Sequence, residues 1–414
     1  MIKKHNRRDT CRLCGQTDLA QVLSLEPTPP ANAVVPESRL EEKQARYPLD
    51  IFFCNKCYHV QMLDVVDPAE LFEDYVYVSG TSPVFVAHFR EYADYIVENY
   101  NPNKQTLIFD IGSNDGTFLN NFKEKGFPVL GIDPAQKIAS QATARGIETL
   151  VGFFDKTIAL QIRDKHGLAS VISANNVFAH IDDLNEIIEG VKVLLAKTGI
   201  FVFEVSYLVD VFEKTLFDTI YHEHLAYHAV NPLIAFFSGH KMDLIDTTRV
   251  NSHGGSIRGI VQNSCAGRPV FSSVSKLSKL EKMIKLDRVE TYYDFAERIN
   301  NLKKQLLQVL INKKAIGKSI AAFGAPAKAT TLMYHFGIGP EIIDFIVDDN
   351  PLKQGLYSPG MHIPIVSSAA IYEKRPDYII ILAWNFAESI MEKHRAFQKA
   401  GGQFIVPLPQ VAVY

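Results

Sequence analysis

Two pairs of cysteines, Cys11/Cys14 and Cys54/Cys57, stand at Cys-x-x-Cys spacing near the start of the chain. Each such turn holds two thiolates about one metal radius apart. Two turns brought together form the tetrahedral sulfur cage that Zn²⁺ favours. Four cysteine ligands leave no open coordination position, so the expected zinc is structural rather than catalytic. Gly15 follows the first pair, where a metal knuckle needs a permissive backbone. A redox dithiol would open a helix within a βαβ unit, and neither pair has that context.

A second group of reactive side chains lies mid-chain, in Thr219-Ile220-Tyr221-His222-Glu223-His224-Leu225-Ala226-Tyr227-His228. The metalloprotease pattern needs two histidines four residues apart with Glu after the first, and this segment lacks it. Histidine is the natural base near neutral pH, and a neighbouring carboxylate such as Glu223 can orient it. The Tyr221 phenol can donate to a developing enolate oxygen. On an extended segment His222 and His224 would share a face. His253-Gly254-Gly255-Ser256-Ile257-Arg258 forms a second polar, glycine-loosened loop that could line the same cleft.

A third cluster follows a run of buried-strand character, Ile108-Phe109-Asp110-Ile111-Gly112-Ser113-Asn114-Asp115-Gly116. A dinucleotide fingerprint would place glycine at 110, 112 and 115, and here Asp110 and Asp115 break it. Asp-x-Gly-x-x-x-Gly suits S-adenosylmethionine better, because no pyrophosphate has to be neutralised while Gly112 and Gly116 admit the ligand close to the backbone. Asp133, ending the next strand, can take the two ribose hydroxyls. Asn175 and Asn176, after a later strand, could bracket the adenosine or the methionine portion. Asp110, Gly112, Asn114, Gly116, Asp133, Asn175 and Asn176 are therefore the candidate cofactor-binding residues. The alternative is a nicotinamide-dependent nucleotide-sugar oxidoreductase or epimerase.

These groups need elements to hold them. Residues 1–75 carry both cysteine pairs around a Pro-rich loop (Pro27, Pro29, Pro30, Pro36), as expected of a small zinc-stapled module. Phe85, Phe89, Tyr92, Tyr95 and Ile96 repeat at helical spacing. Strands are expected at Leu107–Ile111, Val129–Ile132, Ser170–Ala174 and Gly199–Val205, alternating with helices at Phe118–Lys125, Ala135–Arg145 and Leu184–Leu195. That alternation predicts a parallel, doubly wound sheet within residues 76–270. Residues 206–270 break the alternation. A charged helical stretch, Ser272–Lys314, reads as a solvated connector. A second alternation follows, with strands at Ser319–Phe323, Ile342–Val347, Tyr378–Leu382 and Gln403–Val406 and a helix at Phe386–Lys399. The expected fold class is α/β, a small zinc-binding module followed by two Rossmann-like doubly wound domains, with residues 271–414 forming the connector and the second of them.

Composition agrees. Of 414 residues, 47% are hydrophobic and 21% charged, an ordinary globular mixture, and the net charge is −3. No global positive field invites nucleic acid or an anionic membrane. No apolar run approaches the ~20 residues a membrane span needs. Five cysteines are too few for a disulfide scaffold, so a cytoplasmic chain with reduced thiols is expected. The sequence carries no signal of oligomeric state.

Taken together, the paired Cys-x-x-Cys module, Tyr75-Val76-Tyr77-Val78-Ser79, Gly112-Ser113-Asn114-Asp115-Gly116, Tyr221-His222-Glu223-His224, His253–Arg258 and Phe323-Gly324-Ala325-Pro326-Ala327-Lys328 resemble the S-adenosylmethionine-dependent sugar C-methyltransferases of deoxysugar biosynthesis. The resemblance spans essentially the whole chain. It implies an acceptor that is a nucleotide-diphosphate-linked keto-deoxysugar, carrying dTDP or GDP, which loses a proton α to its carbonyl before the enolate attacks the methyl group. It implies His224 as base, with Tyr221 and Glu223 assisting and His180 in the active site. It also implies substrate contacts from Tyr75, Tyr77, Ser79, His222 and His253, and a diphosphate held near Ala325, Lys328, Asp348, Asp349 and Asn350. One departure is Gly80-Thr81-Ser82, where a Ser-Ser pair is expected.

Overall fold

The computed structural model describes residues 5–72, 78–252 and 254–414. The amino-terminal sheet is antiparallel, with Leu19–Thr28, Tyr47–Cys54 and Val60–Met62 side by side. Leu49, Ile51 and Phe53 share one face of the pleat and are buried there, and Phe52 and Cys54 on the other face are buried too. Its fourth strand, Ala226–Tyr227, comes from the histidine-rich segment more than 160 residues later and pairs with Val60–Met62.

The central sheet has seven strands, ordered Met242–Val250, Ser256–Asn263, Leu195–Ser206, Ala169–Asn175, Leu107–Ile111, Val129–Asp133, Thr149–Val151. The last five are parallel, and the first two form an antiparallel extension. Alternate side chains feed two cores. Phe109, Ile172, Phe201 and Phe203 pack on one face, while Ile108, Val171, Ile200 and Val202 pack on the other against Phe89, Tyr92, Phe118 and Phe122. The helix Pro83–Tyr100 begins where the Ser82 hydroxyl accepts from the Phe85 N–H and Pro83 occupies the first turn. Strand order reverses on either side of Leu107–Ile111, which opens a crevice at the carboxyl ends of the strands.

Two elements lie where no periodic signal marks them, the edge strand Thr149–Val151 and the helix Lys156–His166. The antiparallel pair between 242 and 263 was also unexpected. The charged connector is a correction. It is two helices, Ser272–Met283 and Val289–Ala315, and the second buries Tyr292, Phe295, Ile299, Leu302, Leu306 and Leu310. Such side chains stabilise by roughly 1.5–3 kcal/mol each when fully buried, so this helix is a packed strut against the strand Leu19–Thr28 rather than a solvated link. The expected helix 386–399 is interrupted at His394, giving Ala387–Lys393 and Arg395–Lys399.

The carboxyl-terminal sheet orders its strands Ile365–Val366, Ile346–Val347, Ile320–Phe323, Tyr378–Ile381, Gln403–Val406, Ala412–Val413, all parallel except the last. It is stitched to the amino-terminal module by the pairing of Val35–Pro36 with Leu356–Tyr357. No described helix is long and apolar enough to cross a membrane.

Candidate active site and metal centre

The two cysteine turns fold alike. In the first, the Gly15 N–H donates to the Cys11 carbonyl at 2.9 Å with φ +70°, and in the second the Tyr58 N–H donates to the Cys54 carbonyl at 2.8 Å with φ +67°. All four Sγ atoms lie within 4.8 Å of one another. Cys11 and Cys57 are 3.5 Å apart, as are Cys14 and Cys54. A tetrahedron with Zn–S near 2.3 Å has edges of about 3.8 Å, so the cage fits zinc. The thiols cannot share this space as independent acids. The hydrogen bond with Cys57 pulls Cys11 down to about 5 and pushes Cys57 far up, while burial raises Cys14 to about 11. A divalent cation removes that conflict.

At the carboxyl edge of the central sheet, Gly112, Asn114 and Gly116 take φ +67°, +50° and +78°. The Asp133 carboxylate accepts from the Asn114 and Ala135 backbone N–H groups, both at 2.9 Å. The Asn114 side-chain oxygen accepts from the Ser79 N–H at 3.0 Å, and Asp115 accepts from the Gly80 N–H at 3.2 Å. A Cβ at position 80 would sit 2.4 Å from the Asp115 carboxylate, so glycine suits this close approach. Asp110 lies beneath the loop, fully buried, accepting from the Ser173 hydroxyl at 2.6 Å. Asn175 has both side-chain amide atoms buried with no partner among the described residues. Asn176 adopts φ +56°, and its N–H donates to the Glu204 carbonyl at 2.7 Å. An orphaned amide beside a glycine-lined crevice is what a polar nucleoside ligand would satisfy, so S-adenosylmethionine fits these residues.

Gly112 is the tightest point, since an added Cβ would lie 2.4 Å from Val177 Cγ2. The left-handed backbone alone costs a non-glycine residue about 1–2 kcal/mol. Gly112→Ala is expected to weaken S-adenosylhomocysteine binding at least about tenfold by titration calorimetry. Unchanged affinity would show that the ligand does not use this turn.

Burial pushes Asp110 up to about 7. The folded state then binds a proton that the unfolded state has released, and the stability this group supplies is full below pH ~4 and is lost as pH rises to ~7. The shift corresponds to at most about 4 kcal/mol. Asp110→Asn keeps an acceptor for Ser173, so its stability should fall less than the native chain's between pH 5 and pH 8 in denaturant titrations. Parallel curves would refute this.

In the histidine-rich segment, His224 Nδ1 lies 2.7 Å from the Thr219 carbonyl. A carbonyl only accepts, so in the neutral ring Nδ1 carries the proton and Nε2 keeps its lone pair. The ring is flanked by Tyr221 at 4.1 Å and His180 at 5.1 Å between centroids, and His180 stacks in turn on Phe72. His180 reaches this position because the Ala179 carbonyl accepts from the Leu225 and Ala226 N–H groups. Glu223 is buried and accepts from the Asn32 side chain at 2.8 Å.

Residues 221–223 turn instead of running extended, so His222 and His224 do not share a face. His222 is buried, its Nε2 3.2 Å from the Tyr47 carbonyl and its ring edge-on to Tyr47, and burial pushes it down to about 4. It fastens the segment to the zinc module. Tyr75, Tyr77 and His253 lie outside the described residues. The neighbour of His253, Ser252, donates to Glu204, a buried carboxylate that also accepts from His88 and Arg258.

In the carboxyl-terminal crevice, Asp348 accepts from the Ala325 N–H at 2.7 Å, the same contact that Asp133 makes with the glycine loop. Lys328 donates to Asn385 at 2.7 Å, lies 4.2 Å over the Trp384 ring and stands 3.9 Å from the buried Asp218. Lys353, missed in the sequence, donates to the Ala325 carbonyl at 2.6 Å. Burial lowers both lysines. Asp349 is exposed and paired with Lys393, and Asn350 closes a turn onto Leu352. Neither Lys353 nor Trp384 sits in a motif, so no local pattern marks them.

This arrangement is that of a methyltransferase, and the comparisons agree. A methyltransferase domain family matches residues 86–245, a zinc binding domain family residues 11–72, and a C-methyltransferase C-terminal domain family residues 251–409. C-methyltransferase NovU of Streptomyces niveus is 35% identical over 405 residues, covering 98% of this chain and 96% of that protein. The chain belongs to the family of S-adenosylmethionine-dependent C-methyltransferases. Solved structures resemble part of it. An S-adenosylmethionine-dependent methyltransferase from Clostridium acetobutylicum (14% identical, TM-score 0.34) matches 42% of this chain and 91% of its own. The PH0226 protein from Pyrococcus horikoshii (13% identical, TM-score 0.36) matches 47% and 98%.

Proposed function

We propose that this C-methyltransferase acts in the cytoplasm on a keto-deoxysugar carried by a nucleoside diphosphate such as dTDP or GDP. The observation that carries this reading is the His224 Nδ1 contact with the Thr219 carbonyl, which puts the neutral ring's proton on Nδ1 and its basic lone pair on Nε2. A carbon α to a carbonyl becomes nucleophilic only when a base removes its proton and a donor stabilises the oxyanion. His224 is the base, Tyr221 the donor to the enolate oxygen, and Glu223 and His180 hold the pocket. The α C–H bond breaks with its proton going to Nε2, and the enolate carbon forms the new C–C bond. S-adenosylmethionine, held at the Gly112–Gly116 turn and Asp133, would supply the methyl group, its S–CH₃ bond breaking as that C–C bond forms and its sulfur leaving as the neutral thioether. Lys328 and Lys353 flank the turn at Ala325, where a diphosphate would meet two cations and the first backbone N–H groups of the helix Ala327–Phe336.

The three working units are residues 1–75, 76–270 and 271–414, supplying zinc, methyl donor and nucleotide sugar sites respectively. The test is incubation with dTDP- and GDP-linked 4-keto-6-deoxy sugars in D₂O, following deuterium entry α to the carbonyl and gain of a methyl group. Methyl transfer to oxygen or nitrogen without α exchange would overturn the reading.

A further inference from the structure

We propose that Asn32 is a positioning residue for Glu223, so that the zinc module completes the catalytic segment from 191 residues away in the chain. The inference rests on reading Tyr221–His224 as the acid–base segment. The Glu223 carboxylate is buried, and a buried carboxylate needs donors to hold it in one orientation. Asn32 Nδ2 donates to Glu223 Oε1 at 2.8 Å.

Asn32 is itself fixed on both sides. The carbonyl before it, Ala31, accepts from the Thr330 hydroxyl at 3.1 Å, and the carbonyl after it, Ala33, accepts from the Gln44 amide at 2.8 Å. Three residues further on, Val35–Pro36 pairs with Leu356–Tyr357. The loop is therefore clamped by the carboxyl-terminal domain, through Thr330 and this strand pair, and by the module's own Gln44. It presents one short amide with few rotamers. A loop whose neighbouring carbonyls are both tied, and whose one intervening side chain meets a buried acid beside the candidate base, is built to position that acid.

The full-length, zinc-loaded chain is assayed with S-adenosylmethionine and dTDP-4-keto-6-deoxyglucose in D₂O, comparing Asn32→Ala and Asn32→Asp with the native chain and with His224→Ala. Asn32→Asp keeps the shape and removes the donor. Both Asn32 variants should lose turnover in exchange and methyl transfer on the order of 10- to 100-fold, with the KM for S-adenosylmethionine, the zinc content and Tm held. Asn32→Asp at native turnover would mean that only packing matters at this position, and would overturn the proposal. If His224→Ala is inactive while both Asn32 variants run at the native rate, this inference alone fails. Native exchange in His224→Ala, or none in the native chain, removes the reading beneath it.

Discussion

His224→Ala is expected to abolish deuterium exchange α to the keto group and, with it, methyl transfer, lowering both by about 10²–10⁴-fold. One proton governs both losses. Nδ1 is committed to the Thr219 carbonyl at 2.7 Å, so the ring offers Nε2 as a base held in a defined plane between Tyr221 and His180. Alanine removes the proton acceptor and leaves the methyl-donor crevice, built on other strands, untouched. S-adenosylhomocysteine affinity should therefore stay within about twofold while exchange disappears. His224 is half-buried, so the melting temperature should move by only a few degrees. Exchange at the native rate would place the base elsewhere, with His180 the next to test.

Removing the zinc is expected to have the largest effect on the fold. Structural zinc contributes roughly 10–16 kcal/mol of apparent binding free energy in isolated zinc-finger peptides, and here its ligands sit at the ends of the strands they organise. Cys54 closes Tyr47–Cys54, and Cys57 precedes Val60–Met62 by three residues. Loss of those strands frees the Tyr47 carbonyl from His222 and the Asn32 loop from Glu223. Cys54→Ser, or prolonged chelation, should therefore lower Tm by about 10 °C or more and remove exchange activity together with the metal. Full activity in a chain shown by elemental analysis to be metal-free would refute a structural role for the ion.

The sequence made the chemistry-bearing turns legible because glycine and cysteine punctuate them. Leu107–Ile111 and Gln403–Val406 are legible to the residue, since short, predominantly apolar runs bounded by turns have few other uses. Thr149–Val151 was invisible because an edge strand with a half-exposed centre carries no hydrophobic run. The seam Tyr292, Phe295, Ile299, Leu302, Leu306, Leu310 was present at helical spacing but was masked by the lysines around it. In the candidate site, spacing alone names the neighbours Tyr221–His224 together, and only the family resemblance divides their roles. His222 and His224 differ only in which side of a three-residue turn they occupy. Asn32, Lys353, Trp384 and Asp218 reach the site through tertiary contacts, for which a single sequence has no local signature.

The pairing of Ala226–Tyr227 with Val60–Met62 also bears on how the chain is made. As residues leave the ribosome, the amino-terminal sheet is ready to close on its metal early, yet the edge at Val60–Met62 must wait for a partner over 160 residues downstream. At ordinary synthesis rates of about 5–20 residues per second that interval is roughly 8–33 s. An open strand edge is a template for the wrong partner. Until Ala226–Tyr227 emerges, the Val60–Met62 edge of the nascent sheet lacks its native partner.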